Sequence, residues 1–410
     1  MKEPFVLTAA VAILLAAGPG SALRSGERQD AAALDGTAAP SVTVPFDMDH
    51  NRMFVDVEFV RSDGTVRKAR AWMDTGNEAL VLQEALARDL GCEFSMGEKQ
   101  PWAQLSRAPG LRLNGWPLDP AGVPAIVLQG PRMRPGLLAE AQLPASLIRR
   151  YHVVFDYPAR RLTLAKPGLL KPRGVPIPCR VNPETGLFLI EAVVDGETVP
   201  LGVDNGSSYT WVSDSLTAAL KERHPDWPAA VGAVGAANFF GFDFETAGTL
   251  MRLPELRIGP LSAPGVGILG LDQSLFDWYS KKSAGTVRGF IGANVLKGFR
   301  LEIDFPNGMT YWEAAPSADP FDLDIVGLTL RPETDGGYAV AGVAVKDGRP
   351  AVEGIRPGDR LVRVDSTDAA GASMGKIVDA LRGTPGTTRT LVIERGGERI
   401  VVKAKTMRFA

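Results

Sequence analysis

The chain has 410 residues, 45% of them hydrophobic and 22% charged, an ordinary globular composition long enough for two or three domains. Its 45 basic and 47 acidic side chains are interspersed and leave a formal net charge of −2. That balance excludes the broad basic footprint of a nucleic-acid binder and any acidic tail.

At the N-terminus Lys2 precedes thirteen mostly apolar residues, Phe5 to Ala17, and small residues follow through Ser21 and Ala22. This is the layout of a secretory signal over residues 1–22. The apolar run is shorter than the roughly 20 residues that cross a bilayer, so cleavage near Ala22 and no stable membrane span are expected. An uncleaved anchor is the alternative. Residues 23–42, rich in Ala, Gly, Asp and Ser, read as a flexible tether, and an exported setting, periplasmic or extracellular, is expected.

An alternating run from Phe54 to Val60 then turns at Ser62-Asp63-Gly64 and returns through Val66 to Met73. It reads as a hairpin feeding Asp74-Thr75-Gly76. Leu80-Val81-Leu82 and a helical pattern from Ala85 to Leu90 follow. The same plan recurs in the next part of the chain. Leu187 to Val194 turns at Asp195-Gly196 and returns through Val199 to Val203, feeding Asp204-Asn205-Gly206. Trp211-Val212 and a helical pattern from Asp214 to Leu220 follow it. Each half closes alike, because Tyr151 to Pro158 and Phe299 to Pro306 align position for position without a gap. An Asp-x-Gly tripeptide is by itself a common turn. The repeated hairpin, tripeptide, helix and closing strand make an internal duplication the economical reading, with repeats over 43–168 and 174–315.

Only Cys92 and Cys179 are present, compatible with a disulfide or with two buried thiols. His50, His152 and His224 are far apart, and neither they nor the cysteines have zinc-site spacing, so no metal and no cofactor are expected. Gly371-Ala372-Ser373-Met374-Gly375 spells a serine elbow, and Ser373 with Lys376 spells S-x-x-K, but no His follows residue 224 to act as partner. Gly265 to Gly270 spells G-x-G-x-x-G inside a strand-like run, which is the wrong setting for a nucleotide.

On the paired tripeptides and their shared context, residues 43–315 resemble the retropepsin-like and pepsin-like aspartic proteases. In that family two copies of a small β-rich lobe each contribute one Asp. The resemblance implies a mostly β fold, two tandem lobes forming one cleft, and Asp74 and Asp204 as the catalytic pair. It places Thr75, Gly76, Asn205, Gly206 and Ser207 in the supporting loops. Two carboxyl groups about 3 Å apart share one proton, so one can act as base towards a water and the other as acid. The implied activity is hydrolysis of peptide bonds in extended or unfolded chains, with a flap expected between residues 92 and 130.

The family's second signature, two hydrophobic residues and a Gly before the closing strand, fits Phe290-Ile291-Gly292 and gives Ile291 and Gly292 a supporting role. The first repeat has Gln142-Leu143-Pro144 at that point, and Asn205 stands where the family usually has Thr or Ser. These departures favour the alternative, a protease-like scaffold that binds extended peptides with impaired turnover.

Residues 322–407 resemble a PDZ domain, a small β-barrel with short helices that binds extended peptides or C-termini by strand addition. Val326-Gly327-Leu328-Thr329-Leu330 matches the loop whose amides receive a terminal carboxylate in that family. Gly337 to Val340 continues as a strand, and Gly354 to Leu361 matches the family's turn and following strand. Met374 to Leu381 has the spacing of the groove-lining helix, and a hairpin from Leu391 to Val402 turns at Gly396-Gly397. The implied partners are peptides or unfolded proteins at the cleft and C-terminal peptides at the groove. With both lobes in one chain, a monomer is expected.

Overall fold

The computed structural model describes residues 39–97, 101–129, 136–315 and 319–410. The signal segment 1–22 and tether residues 23–38 lie outside them. The end of the expected tether differs from the sequence reading. Ser41 and Val42 open the strand Ser41–Pro45, because Val42 and Val44 alternate inward and bury.

The protein is mostly β, with two lobes around one cleft and a third β module. In the first lobe the hairpin Arg52–Val60 and Val66–Asp74 pairs Phe54 with Trp72. Its outgoing strand ends on Asp74. Ala141–Pro144 inserts beside it in parallel, with Leu143 opposite Met73, and runs antiparallel to Leu80–Gln83. The far side of Leu80–Gln83 carries Ala125–Leu128 in parallel.

The second lobe repeats each relation. Phe188–Val194 and Glu197–Val203 form the hairpin, and Gly289–Ile291 inserts in parallel with Ile291 opposite Val203. Thr210–Ser213 flanks it antiparallel and has Leu261–Leu271 in parallel beyond. A helix follows in each case, Glu84–Asp89 or Asp214–Arg223, and the second is capped by the Ser213 hydroxyl. The G-x-G-x-x-G run lies within the strand Leu261–Leu271.

Below the cleft the lobes share six strands in the order Ser41–Pro45, Arg161–Ala165, His152–Asp156, Phe299–Asp304, Met309–Ala314, Val175–Val181. The two aligned closing strands pair with each other, His152 opposite Asp304 and Asp156 opposite Arg300. This register puts a local two-fold axis between Val154 and Glu302, which face one another. Glu302 is fully buried there, with His152 Nε2 at 2.9 Å, the Arg173 amide donating at 3.0 Å and the Arg300 guanidinium beside it. Cys92 and Cys179 are unbridged thiols, and burial, aided by the nearby Asp304 charge, pushes Cys179 up to about 12.

The third module consists of Leu328–Pro332, Tyr338–Val343, Arg360–Val364, Thr388–Arg395 and Glu398–Lys405 in one sheet, with the helix Met374–Leu381. After the last of these strands a short separate strand, Met407–Arg408, pairs with Asp324–Ile325. The module docks on both lobes. Val345–Lys346 adds to Ala229–Val231 of the second lobe. From the first lobe, Asp49 accepts the Ser373 hydroxyl at 2.5 Å and the Gly375 amide at 3.3 Å, which serves the open end of the helix. Gly375 has no room for a side chain, since a Cβ would lie 2.4 Å from Asp49 Oδ1.

Burial alone would raise the Glu302 carboxyl, but the hydrogen bonds from His152, Arg300 and Arg173 outweigh it and hold the group below the usual carboxylate range. The stability that it contributes is therefore complete above the unfolded carboxylate pKa and lost as pH falls through the lower folded value. Glu302→Gln is expected to lower unfolding free energy by about 3 kcal/mol at neutral pH. The gap from wild type should narrow below about pH 4, measured by urea denaturation across pH.

Candidate active site

Asp74 ends its strand and Asp204 follows directly on the equivalent one, and both are buried in the lining of a cleft that opens to solvent. The Gly76 amide donates to Asp74 Oδ1 at 2.9 Å and also to Asp204 Oδ1 at 3.1 Å. One nitrogen thus touches the inner oxygen of each carboxyl group. On the opposite loop the Gly206 amide donates to Asp204 Oδ1 at 2.8 Å. Neither glycine can carry a side chain. A Cβ on Gly76 would meet Asp204 Cγ at 2.5 Å, and one on Gly206 would meet Asp74 Cγ at 2.3 Å.

The two loops are cross-braced by Thr75 and Asn205. Thr75 Oγ1 donates to Val203 O at 2.9 Å and accepts from the Asn205 amide at 3.1 Å, while the Thr75 amide donates to Asn205 Oδ1 at 2.9 Å. Asn205 therefore supplies the acceptor that a hydroxyl would, but its Nδ2 is buried with no hydrogen-bond partner among the described residues. Ile291 O receives the Asp204 amide at 3.0 Å. Gly292 lets the strand pass against Tyr209 O, which a Cβ would approach to 2.1 Å.

The outer oxygens are served differently in the two lobes. Ser207 donates its hydroxyl to Asp204 Oδ2 at 2.5 Å and accepts from Trp211 Nε1 at 2.9 Å. Asp74 Oδ2 accepts instead from Gln142 Nε2. Gln142 comes from the Gln-Leu-Pro segment that departs from the family signature. The departure still forms the inserted strand, because Leu143 and Pro144 keep register with Met73 and Asp74 and remain buried.

The expected flap range, 92–130, lies partly outside the described residues. None of the described residues 101–129 lines the cleft; Phe239, Phe240, Phe242 and Phe244 of the second lobe do. Their loop is gathered on the buried Glu245 carboxyl, which accepts from the amides of Phe239 at 2.7 Å, Phe240 at 3.0 Å, Gly241 at 3.3 Å and Phe242 at 3.3 Å, and from Asn238 Nδ2 at 3.0 Å. Burial pushes that carboxyl up, and these hydrogen bonds oppose the shift. Phe240 crosses to the first lobe, edge-on to Trp72 at 6.1 Å.

Buried Arg52 stacks on Phe240, its carbon 4.7 Å from the ring centre, donates Nε to Gly206 O at 2.9 Å and reaches Phe239 O at 3.4 Å. Its Nη1 lies 2.5 Å from His50 Nδ1, and His50 Nε2 donates to Gly235 O at 3.1 Å. Burial, reinforced by the Arg52 charge, lowers the His50 imidazole to about 3, so it stays neutral. Gln142, Arg52 and the aromatic wall were not singled out as site residues from sequence. The only local signal was the run of four phenylalanines within Phe239–Phe244.

Val326 to Leu330 lie in the third module, away from the carboxyl pair, and are largely committed to internal contacts. The Val326 amide donates to Leu381 O at 3.1 Å, and the Leu328 amide to Val326 O at 2.9 Å. A Cβ on Gly327 would strike Ala351 and Phe409, both at 2.5 Å. The edge of Leu328–Pro332 is covered by the second lobe. There the Leu330 amide donates to Asn238 Oδ1 at 2.6 Å, and the Thr329 hydroxyl to Ala233 O at 2.7 Å. Gly241 approaches so closely that a Cβ would lie 2.2 Å from Leu330 O. Ser373 is the N-cap of its helix, accepting from the Lys376 amide at 3.2 Å.

No family model matches the chain. A probable CtpA-like serine protease of Staphylococcus haemolyticus is 26% identical over 129 residues, 32% of this chain. The match spans about a quarter of that relative's length. Among solved structures, an aspartic proteinase from Irpex lacteus is similar over 67% of this chain and 98% of its own, at 13% identity and a TM-score of 0.39. A photosystem II D1 C-terminal processing protease is similar over 21% of this chain and 23% of its own, at 22% identity and a TM-score of 0.18.

The orphaned Asn205 amide gives a direct test of the cross-brace. Asn205→Thr keeps an acceptor and removes the buried unpaired donor, so unfolding free energy is expected to rise by about 1 kcal/mol in urea denaturation.

Proposed function

We propose that the chain is an exported aspartic-type endopeptidase, hydrolysing peptide bonds in extended or unfolded segments, with Asp74 and Asp204 as its catalytic pair. The observation that carries this reading is the Gly76 amide within 2.9 and 3.1 Å of an oxygen from each carboxyl group. In the proposed mechanism the two carboxyl groups share one proton.

The ionised member takes a proton from a water between them as the water oxygen attacks the scissile carbonyl. The protonated member gives its hydrogen to the carbonyl oxygen, producing a neutral gem-diol. The first member then passes its new proton to the amide nitrogen while a gem-diol hydroxyl returns a proton to the second, and as the C–N bond breaks amine and acid leave with the pair restored. The Phe239–Phe244 wall supports this chemistry by setting apolar rings beside the pair, where electrostatic interactions are stronger than in bulk water. Because one chain supplies both carboxyl groups, a monomer is competent.

The partial relative's name suggests proteolysis by a serine, but Ser373 here is spent on a helix cap and on Asp49. The carboxyl pair is the better candidate for the chemistry. We read the PDZ-like module as a clamp on the cleft wall. A C-terminal peptide would gain its strand edge only by displacing Ala233 to Gly241.

Mass-spectrometric cleavage profiling of a peptide library over about pH 3 to 7 tests the proposal. Wild-type protein is expected to cleave, and Asp74→Asn and Asp204→Asn each to lose about 10³-fold or more. Equal silence of all three, folded, would leave the peptide-binding scaffold as the better reading.

A further inference from the structure

Within the two-lobe duplication, the position after the tripeptide has opposite uses. Ser207 follows Asp204-Asn205-Gly206 and reaches the outer oxygen of Asp204 at 2.5 Å. Its counterpart Asn77 turns back on its own loop, with Nδ2 donating to Ala79 O at 2.6 Å and Oδ1 accepting from the Ala79 amide at 3.4 Å. The donor to the outer oxygen of Asp74 comes from Gln142, on the inserted strand.

Registers explain the exchange. Gln142 lies opposite Trp72, and in the second lobe Phe290 lies opposite Gly202. Phe290 stacks on Trp211 at 4.7 Å, and Trp211 in turn orients Ser207. One lobe thus fills the place with a ring that backs a hydroxyl donor, and the other fills it with the donor itself. Gln142 is 2% exposed and lines the cleft, and its Oε1 is buried with no hydrogen-bond partner among the described residues. Packing alone would favour an apolar side chain here, because a buried primary amide leaves an acceptor unsatisfied.

We propose that Gln142 is the positioning residue for Asp74, an amide donor that fixes the outer carboxyl oxygen and keeps the two members of the pair inequivalent. This rests on the peptidase reading for its catalytic consequence, though the contact itself does not. Ser207 carries a hydroxyl, which can donate to one form of its carboxyl group and accept from the other. The Nε2 of Gln142 can only donate. It therefore favours the ionised form of Asp74 and leaves the shared proton to Asp204. Asp74 is accordingly assigned as the base that takes the proton of the attacking water.

Two variants and two readouts test this assignment. Gln142→Leu removes the donor at similar volume, and kcat is expected to fall about 100-fold with KM little changed. Gln142→Glu keeps the shape but donates only when protonated. Its activity should survive near pH 4 and collapse by about pH 6, where a third carboxylate faces the pair. The second readout needs no turnover: carboxyl titration by carbon-13 NMR of Asp-labelled protein, with Asp74→Asn to assign the signal. In Gln142→Leu the Asp74 titration midpoint is expected to rise by about one pH unit.

If Gln142→Leu leaves kcat, pH profile and carboxyl titration as in wild type, the proposal is overturned. A wild type that cleaves nothing would sink the peptidase reading, and the NMR shift would still decide the role of Gln142. Should Gln142→Leu fail to fold, a Gln142→Glu profile indistinguishable from wild type up to neutral pH would equally overturn the assignment.

Discussion

Each glycine of the two Asp-x-Gly loops lies against the carboxyl group of the opposite loop, at a distance that no Cβ could occupy. This mutual approach is the constraint on which the rest of the fold turns. Two buried, acidic loop ends come together only if their backbones are held from behind. The inserted strands Ala141–Pro144 and Gly289–Ile291 do that, each parallel to the strand that delivers its Asp. The Thr75–Asn205 bonds then tie one loop to the other across the gap. Amide donors at the inner oxygens offset part of the cost of burying the charge.

Around that symmetric centre the surroundings are not symmetric. The phenylalanine wall comes from the second lobe, is gathered on Glu245 and reaches across to Trp72. Arg52 links the Gly206 loop to the same wall, and His50 carries the connection on to Gly235. The third module holds the outer side of this segment through Asn238 and Ala233, while Asp49 fastens its helix to the first lobe. A change in how the module sits would therefore reach the cleft through packed backbone rather than through a hinge.

Much of this arrangement was legible in the residues, and the reasons are local. The hairpins leading to Asp74 and Asp204 carry apolar strand patterns that bury toward their ends, and the closing strands align because they do the same job as paired neighbours in one sheet. The helix Met374–Leu381 follows from spacing that buries Met374, Ile377, Val378 and Leu381. The contact between Gln142 and Asp74 was not legible, since it depends on a parallel register between strands far apart in sequence. The four phenylalanines were visible as a cluster, but their direction is set by Glu245 and by Gly241 against Leu330. The same docking covers the Leu328–Pro332 edge, which a motif within the module could not reveal.

The local two-fold at Val154 and Glu302 has one more consequence. In a dimer of identical chains, whatever residue sits on the axis must face its own copy. A buried glutamate there would meet a second glutamate, and like charges in a dry interface repel strongly. Joining the two halves in one polypeptide removes that restriction, so a valine can face the glutamate and a histidine from the other half can answer it. The seam between the lobes thus carries an asymmetry that two identical chains could not hold, and the halves recognise each other as different.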